Sequence, residues 1–282
     1  MKTQSTLFML GIAAIFFTAC KKEGDTINNY YSTTTDVKLP PRKLMKEYGL
    51  ADSSQVIRFT FINNDPSKLK ELISSSMGVP ASKFTVLYNA SNQPEGYQSF
   101  TLPANTLNEQ GTYKLDGKGR ITEVIKRKPN GDTIGISSYS YASIDFQPVT
   151  FTYYDKSFDR IVKYEFFYYD IYGNMTRMTS YSNNGTDPVY KSSEVETSVF
   201  TKAINPLNQL TPYLISSFGS YGFSNSGPLY FSLYFPASSI ENRFKIDGSS
   251  DGSSVNSYKI ETDTENFITS LTSGSQVIFV KY

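Results

Sequence analysis

The chain has 282 residues, with 27 basic and 26 acidic side chains, a single cysteine, no histidine and no tryptophan. Without histidine it has neither Ser-His-Asp nor Cys-His machinery nor a common zinc site, and one cysteine forms no internal disulfide. A balanced charge gives no electrostatic footing on nucleic acid or a polybasic membrane contact. The 22 Tyr and 20 Phe favour strands, so the composition points to an all-β chain.

The first element is a leader. Lys2 supplies a positive start, Leu7–Phe17 an apolar stretch too short to span a bilayer, and Thr18 and Ala19 small residues before Cys20. Phe17–Cys20 resembles a bacterial lipobox, which implies removal of residues 1–19 and acylation of Cys20. Only Lys2 is lost from the charged residues, so the mature chain is formally neutral. Residues 20–50 then read as a lipidated tether, because a polar stretch closing on Pro40 and Pro41 has little to bury. A β domain over 51–282 follows, and its part 51–105 reads as an α/β subregion or as the start of the main sheet.

Gln55–Ile62 alternates and predicts a strand. Asp65 and Pro66 suit a helix N-terminus. Leu69, Leu72, Ile73 and Met77 then recur at helical spacing, and Gly78 stands where a helix ends, so one short helix is expected here. Lys83–Tyr88 predicts a second strand. From Tyr113 a unit recurs, an aromatic, then Asp, then Gly or Asn three residues later, then an alternating strand. Its copies carry Asp116 and Gly119, Asp170 and Gly173, and Asp263 and Asn266, with a looser copy at Asp155. The spacing has a physical cause. The Asp side chain accepts a backbone N–H two residues on, and the later position needs the left-handed backbone that Gly and Asn tolerate. These six residues are therefore read as structural turn residues, not calcium ligands. Asn130-Gly131 and the region 182–186 predict further hairpins. The result is a mainly β fold, an antiparallel meander of hairpins forming a curved or barrel-like sheet. Ile204–Phe223, with Pro206 and Pro212, breaks the rhythm and reads as an irregular or helical insert covering an open end of the sheet.

The units resemble the YD repeats of RHS-type proteins, through Tyr113, Asp116, Gly119, Arg120 and Ile121, and through Tyr168, Asp170, Gly173 and Asn174 with Asn in place of Arg. With the leader, the insert and the final stretch Gln276–Tyr282, the chain resembles a Bacteroidota surface lipoprotein family described as having a porin-like sheet. That resemblance implies a fold and an outer-membrane, surface-exposed location. It implies no activity.

For catalysis by carboxylates, Glu165 and Asp145 are the candidates, since neither sits in a turn unit. If Tyr164 and Phe166 face inward, Glu165 faces water. Asp247 and Asp251 flank a Gly/Ser-rich stretch that reads as a turn in preference to a calcium loop. Asp25-Thr26-Ile27 and Asp132-Thr133-Ile134 make Thr26 and Thr133 candidate O-glycosylation sites. No catalytic residue, metal or cofactor is assigned. The reading is a non-enzymatic lipoprotein that binds glycan or protein through its tyrosines, with a structural envelope component and a carboxylate hydrolase as alternatives. Its partners are the membrane through Cys20 and such a ligand, not nucleic acid.

Overall fold

Hairpins follow one another almost without interruption. The structure, a computed structural model, describes residues 41–142, 147–183, 188–197, 199–210, 213 and 232–282. All of them belong to one unit, Thr34–Tyr282. The first ten strands are β1 (Glu47–Leu50), β2 (Gln55–Phe61), β3 (Leu69–Ser76), β4 (Val79–Tyr88), β5 (Pro94–Thr101), β6 (Thr106–Leu115), β7 (Ile121–Arg127), β8 (Thr133–Tyr141), β9 (Pro148–Asp155) and β10 (Arg160–Tyr169). Then come β11 (Met175–Ser182), β12 (Tyr190–Glu196), β13 (Phe200–Ile204), β14 (Tyr234–Pro236), β15 (Ser238–Phe244), β16 (Ser250–Ser257), β17 (Lys259–Thr262), β18 (Ile268–Ser273) and β19 (Gln276–Lys281).

Seventeen of these form one antiparallel sheet, and β13 and β14 form a separate ribbon. Each strand from β1 to β12 pairs with its sequence neighbour. β12 then skips the ribbon and pairs with β15. Short β1 also pairs with β19, so the sheet returns on itself. The ring is nearly closed. Its one hand-over is at Tyr258, where β16, paired with β15, runs into β17, paired with β18.

The meander places alternate connections at opposite ends. One end carries only short turns among the described residues, such as 51–54, 77–78, 128–132, 156–159 and 245–249. The other end carries Asp65, the turns at Asp116, Asp170 and Asp263, both ends of the domain, and the connection from β12 to β15. That connection is the cap. Its residues Ala203, Leu207, Leu210, Tyr213 and Phe235 are buried in one core with Met45, Leu69, Leu72, Ile121, Met175 and Ile268. The insert thus covers one end of the sheet, and its described part is a ribbon with a 3-10 turn, Asn208–Leu210.

The expected helix is absent. Leu69–Ser76 is β3, and residues 51–105 are strands of the main sheet with one 3-10 turn, Ile62–Asn64, and no α-helix. The cause is a β-bulge. The register of β3 on β2 passes from Glu71 to Leu69 and skips Lys70. An extra residue shifts alternation by one, so Leu69 and Leu72, three apart, both turn inward and imitate helical spacing. The same device recurs at Thr122, Thr176 and Thr269, burying Ile121 with Val124, Met175 with Met178 and Ile268 with Leu271. The sheet also starts earlier than the expected boundary at 51, because β1 lies within the span 20–50 assigned to the tether.

The outer face carries ion pairs. Glu47 joins Arg58 at 2.9 Å and Lys281 at 2.7 Å, and Lys114 joins Glu123 at 2.6 Å. No described helix is long and apolar enough to cross a membrane.

Candidate functional site

The three turn units share one geometry. Oδ1 of Asp116, Asp170 and Asp263 accepts the N–H two residues on and again four residues on, at 2.8–3.0 Å. Gly119, Gly173 and Asn266 hold φ of 77°, 77° and 65°. These carboxylates are spent on backbone donors. Two of the turns also hold the cap. The Gly173 carbonyl accepts Leu233 N–H, the Asn266 carbonyl accepts Ile204 N–H at 2.8 Å, and buried Asn174 Oδ1 accepts Tyr234 N–H at 3.0 Å. The position after the glycine therefore differs by task. Arg120 spans Asp116 and the Ala142 carbonyl and lies over the Tyr141 ring, whereas Asn174 takes the cap.

Lys43 ties the start of the domain to the same end. Its Nζ meets Asp263 at 2.7 Å and Glu265 at 2.9 Å, and sits over Phe267 and Tyr282. The ammonium group, chiefly by this hydrogen bond, holds the Asp263 carboxyl below the usual carboxylate range.

Toward the opposite end, charged side chains enter the interior beside aromatic rings of the same core. Lys126 faces inward from β7, and both of its lateral neighbours are glycines, Gly111 on β6 and Gly135 on β8. Each glycine is roofed by a tyrosine. A Cβ on Gly111 would stand 2.0 Å from the Tyr97 ring, and one on Gly135 would stand 2.5 Å from the Tyr153 hydroxyl. Two rings thus lean over the sheet on either side of Lys126, whose Nζ lies 5.7 Å from the Tyr153 ring centre. Burial lowers the Lys126 amine below the usual lysine range, opposed by Glu109. Glu109 accepts the Tyr97 hydroxyl. Burial first, then Glu109, pushes that phenol up.

One step round the ring, Tyr153 faces Lys163, and Phe151 faces Glu165. Lys163 and Glu165 pair at 2.8 Å, and Ser180 donates to Glu165 at 3.2 Å. Tyr97 stacks on Phe84, and Tyr139 packs on Phe151, giving this half an aromatic floor.

Glu165 therefore does not face water with the strand aromatics inside. It shares the inner face with Phe167 and Tyr169, while Tyr164, Phe166 and Tyr168 lie on the outer face, where Phe166 meets Tyr181 and Arg177 lies over Tyr168. The sheet has aromatics on both faces, so their alternation alone does not name the inner one. Asp145, Cys20 and Thr26 lie outside the described residues, as does most of the expected hairpin at 182–186. Thr133 opens β8, half-buried, at the rim with the short turns. Asp247 closes a turn through Ser249, and Asp251 is exposed in β16. Sequence reasoning passed over Lys126, Gly111 and Gly135. The available signal was a glycine inside each of two strands flanking a strand with a lysine, which marks a close approach by another group.

No protein-family model matches the chain, and no curated protein matches it. Solved structures do. A porin-like protein from Bacteroides uniformis aligns over 87% of this chain and 99% of its own, at 12% identity and a TM-score of 0.51. A porin-like protein from Bacteroides vulgatus aligns over 85% and 99%, at 11% identity and a TM-score of 0.38. A chain of the TcdB2-TccC3-Cdc42 structure aligns over 78% of this chain and 12% of its own, at 10% identity and a TM-score of 0.31. The first likeness supports a shared fold, and the other two are too distant to carry an argument. The fold is thus that of a nearly closed antiparallel β-sheet ring similar to the porin-like protein of Bacteroides uniformis.

Proposed function

We propose that this chain is a non-catalytic, lipid-anchored envelope protein that binds a saccharide in the polar half of its ring. The observation that carries the reading is the asymmetry of the interior. One half is filled by an apolar core and the cap. The other is lined by Lys126, Lys163, Glu109 and Glu165 over tyrosine rings. Tyrosine offers a flat apolar ring and a hydroxyl at low entropy cost, a combination suited to sugar faces. Peptide capture by strand addition needs a free sheet edge, and the nearly closed ring leaves little of one among the described strands. The interior carboxylates are engaged, Glu109 by Tyr97 and Glu165 by Lys163 and Ser180, which favours holding a ligand over proton transfer.

The charged outer face argues against a lipid-embedded pore, since a membrane barrel presents an apolar band outward. Attachment through Cys20 fits instead. The described chain enters at the capped end through Lys43 and Met45. The test is a glycan array probed with the full chain carrying Cys20→Ala, beside fractionation of cells making the native chain. Retained saccharides and loss of membrane association in the Cys20→Ala chain are expected. An array without hits removes the binding reading, and unchanged membrane association of the variant removes the anchor.

A further inference from the structure

The two interior lysines are not equivalent. Lys163 has Glu165 at 2.8 Å. Lys126 has no direct ion pair among the described residues, and it is flanked by two glycines, the Tyr153 ring and the field of Glu109. Glu109 itself takes the Tyr97 hydroxyl. The backbone has been cleared on both sides of Lys126, because Gly111 and Gly135 carry no Cβ, and the space is given to Tyr97 and Tyr153. A half-buried ammonium group flanked by rings, with Glu109 nearby but in no direct ion pair, is an arrangement that a ligand anion completes.

We infer that the saccharide bound in this half is acidic, its carboxylate or sulfate on Lys126 and a sugar face on Tyr153. The inference rests on the proposed binding function and narrows it. Ser137 and Ser180 share this inner face but are buried, and Ser180 donates to Glu165, so the ligand contacts are left to Lys126 and Tyr153. The lowered affinity of the Lys126 amine for its proton agrees with a charge that burial disfavours and an anion would stabilise.

Calorimetry on the full chain with Cys20→Ala tests it with four probes of one length: tetragalacturonate, a chondroitin sulfate tetrasaccharide, neutral xylotetraose and tetraglutamate. At least one acidic saccharide is expected to bind about tenfold or more tighter than xylotetraose, as one charge-assisted hydrogen bond gives. The preference should shrink with added salt, vanish in Lys126→Met and survive in Lys126→Arg. Equal binding of acidic and neutral saccharides by the parent chain, a measurement that needs no variant at position 126, overturns the inference and leaves the broader function standing. Tighter binding of tetraglutamate than of any saccharide overturns it too. Binding of none of the saccharides overturns both.

Discussion

The two halves of the ring use the same strands for different ends. Under the cap, inward residues are Leu69, Leu72, Ile121, Met175 and Ile268, all nearly inaccessible, and the cap adds Leu207 and Leu210. Beyond the middle, β7, β9 and β10 turn inward Lys126, Tyr153 and Lys163. A ring of 17 strands encloses more interior than strand side chains alone fill. The capped half solves this with added chain and the bulges behind each Asp turn. The polar half leaves the problem to two glycines and two tyrosines. Stability should therefore depend on the first region and binding on the second.

The largest expected effect is in the cap. Leu210→Ala should cost about 2–5 kcal/mol, since the side chain is fully buried and the ring cannot close over the gap. Urea unfolding checks it, and a loss under about 1 kcal/mol would mean the cap is loosely held. Next comes Gly111→Ala, expected to cost about 1–3 kcal/mol because the new methyl group meets the buried Tyr97 ring.

The paired glycines of the turns sharpen the contrast. Gly119 and Gly173 share φ of 77°, but a Cβ on Gly119 meets nothing within 4 Å while one on Gly173 stands 2.9 Å from Leu233 of the cap. Gly119→Ala should cost about 1 kcal/mol for backbone strain alone. Gly173→Ala should cost measurably more in the same melts, and equal losses would show that the cap does not press on that turn.

Lys126→Met should leave the melting temperature unchanged or slightly raised, because it removes a charge that burial disfavours. A clear fall would make Lys126 a structural residue. The smallest effect concerns pH. The folded Asp263 carboxyl is depressed by Lys43, so its contribution is present above the ordinary carboxylate range, near pH about 4, and fades as pH falls through the depressed value. Lys43→Met should thus melt below the parent chain at neutral pH, with the gap closing in acid.

The turns were legible because Asp and Gly or Asn at fixed spacing have one cheap backbone solution. The meander followed from them. The cap was visible as a break in rhythm beginning at Ile204, and its described apolar residues Leu207, Leu210 and Tyr213 are buried. The false helix shows the limit. A bulge at Lys70 gives Leu69 and Leu72 the spacing of a helix face, and only pairing with Phe59 and Phe61 of β2 settles the choice. The clue lay in the units at Asp116, Asp170 and Asp263, where the buried pair stands five and eight residues after the Asp, as in Asp116, Ile121 and Val124. Asp65, Leu69 and Leu72 are a copy one residue shorter. The candidate site was illegible for a different reason. Gly111, Lys126 and Gly135 come from three strands, and only the register sets them side by side.

Hydrogen–deuterium exchange on the full chain with Cys20→Ala, with and without saturating acidic tetrasaccharide, tests the division of labour most directly. Added protection is expected in the rim turns and strand ends around Lys126, Gly135, Tyr153 and Lys163, with the cap at 199–210 and 232–237 unchanged. Protection confined to the cap and the turns at Asp170 and Asp263 would contradict it.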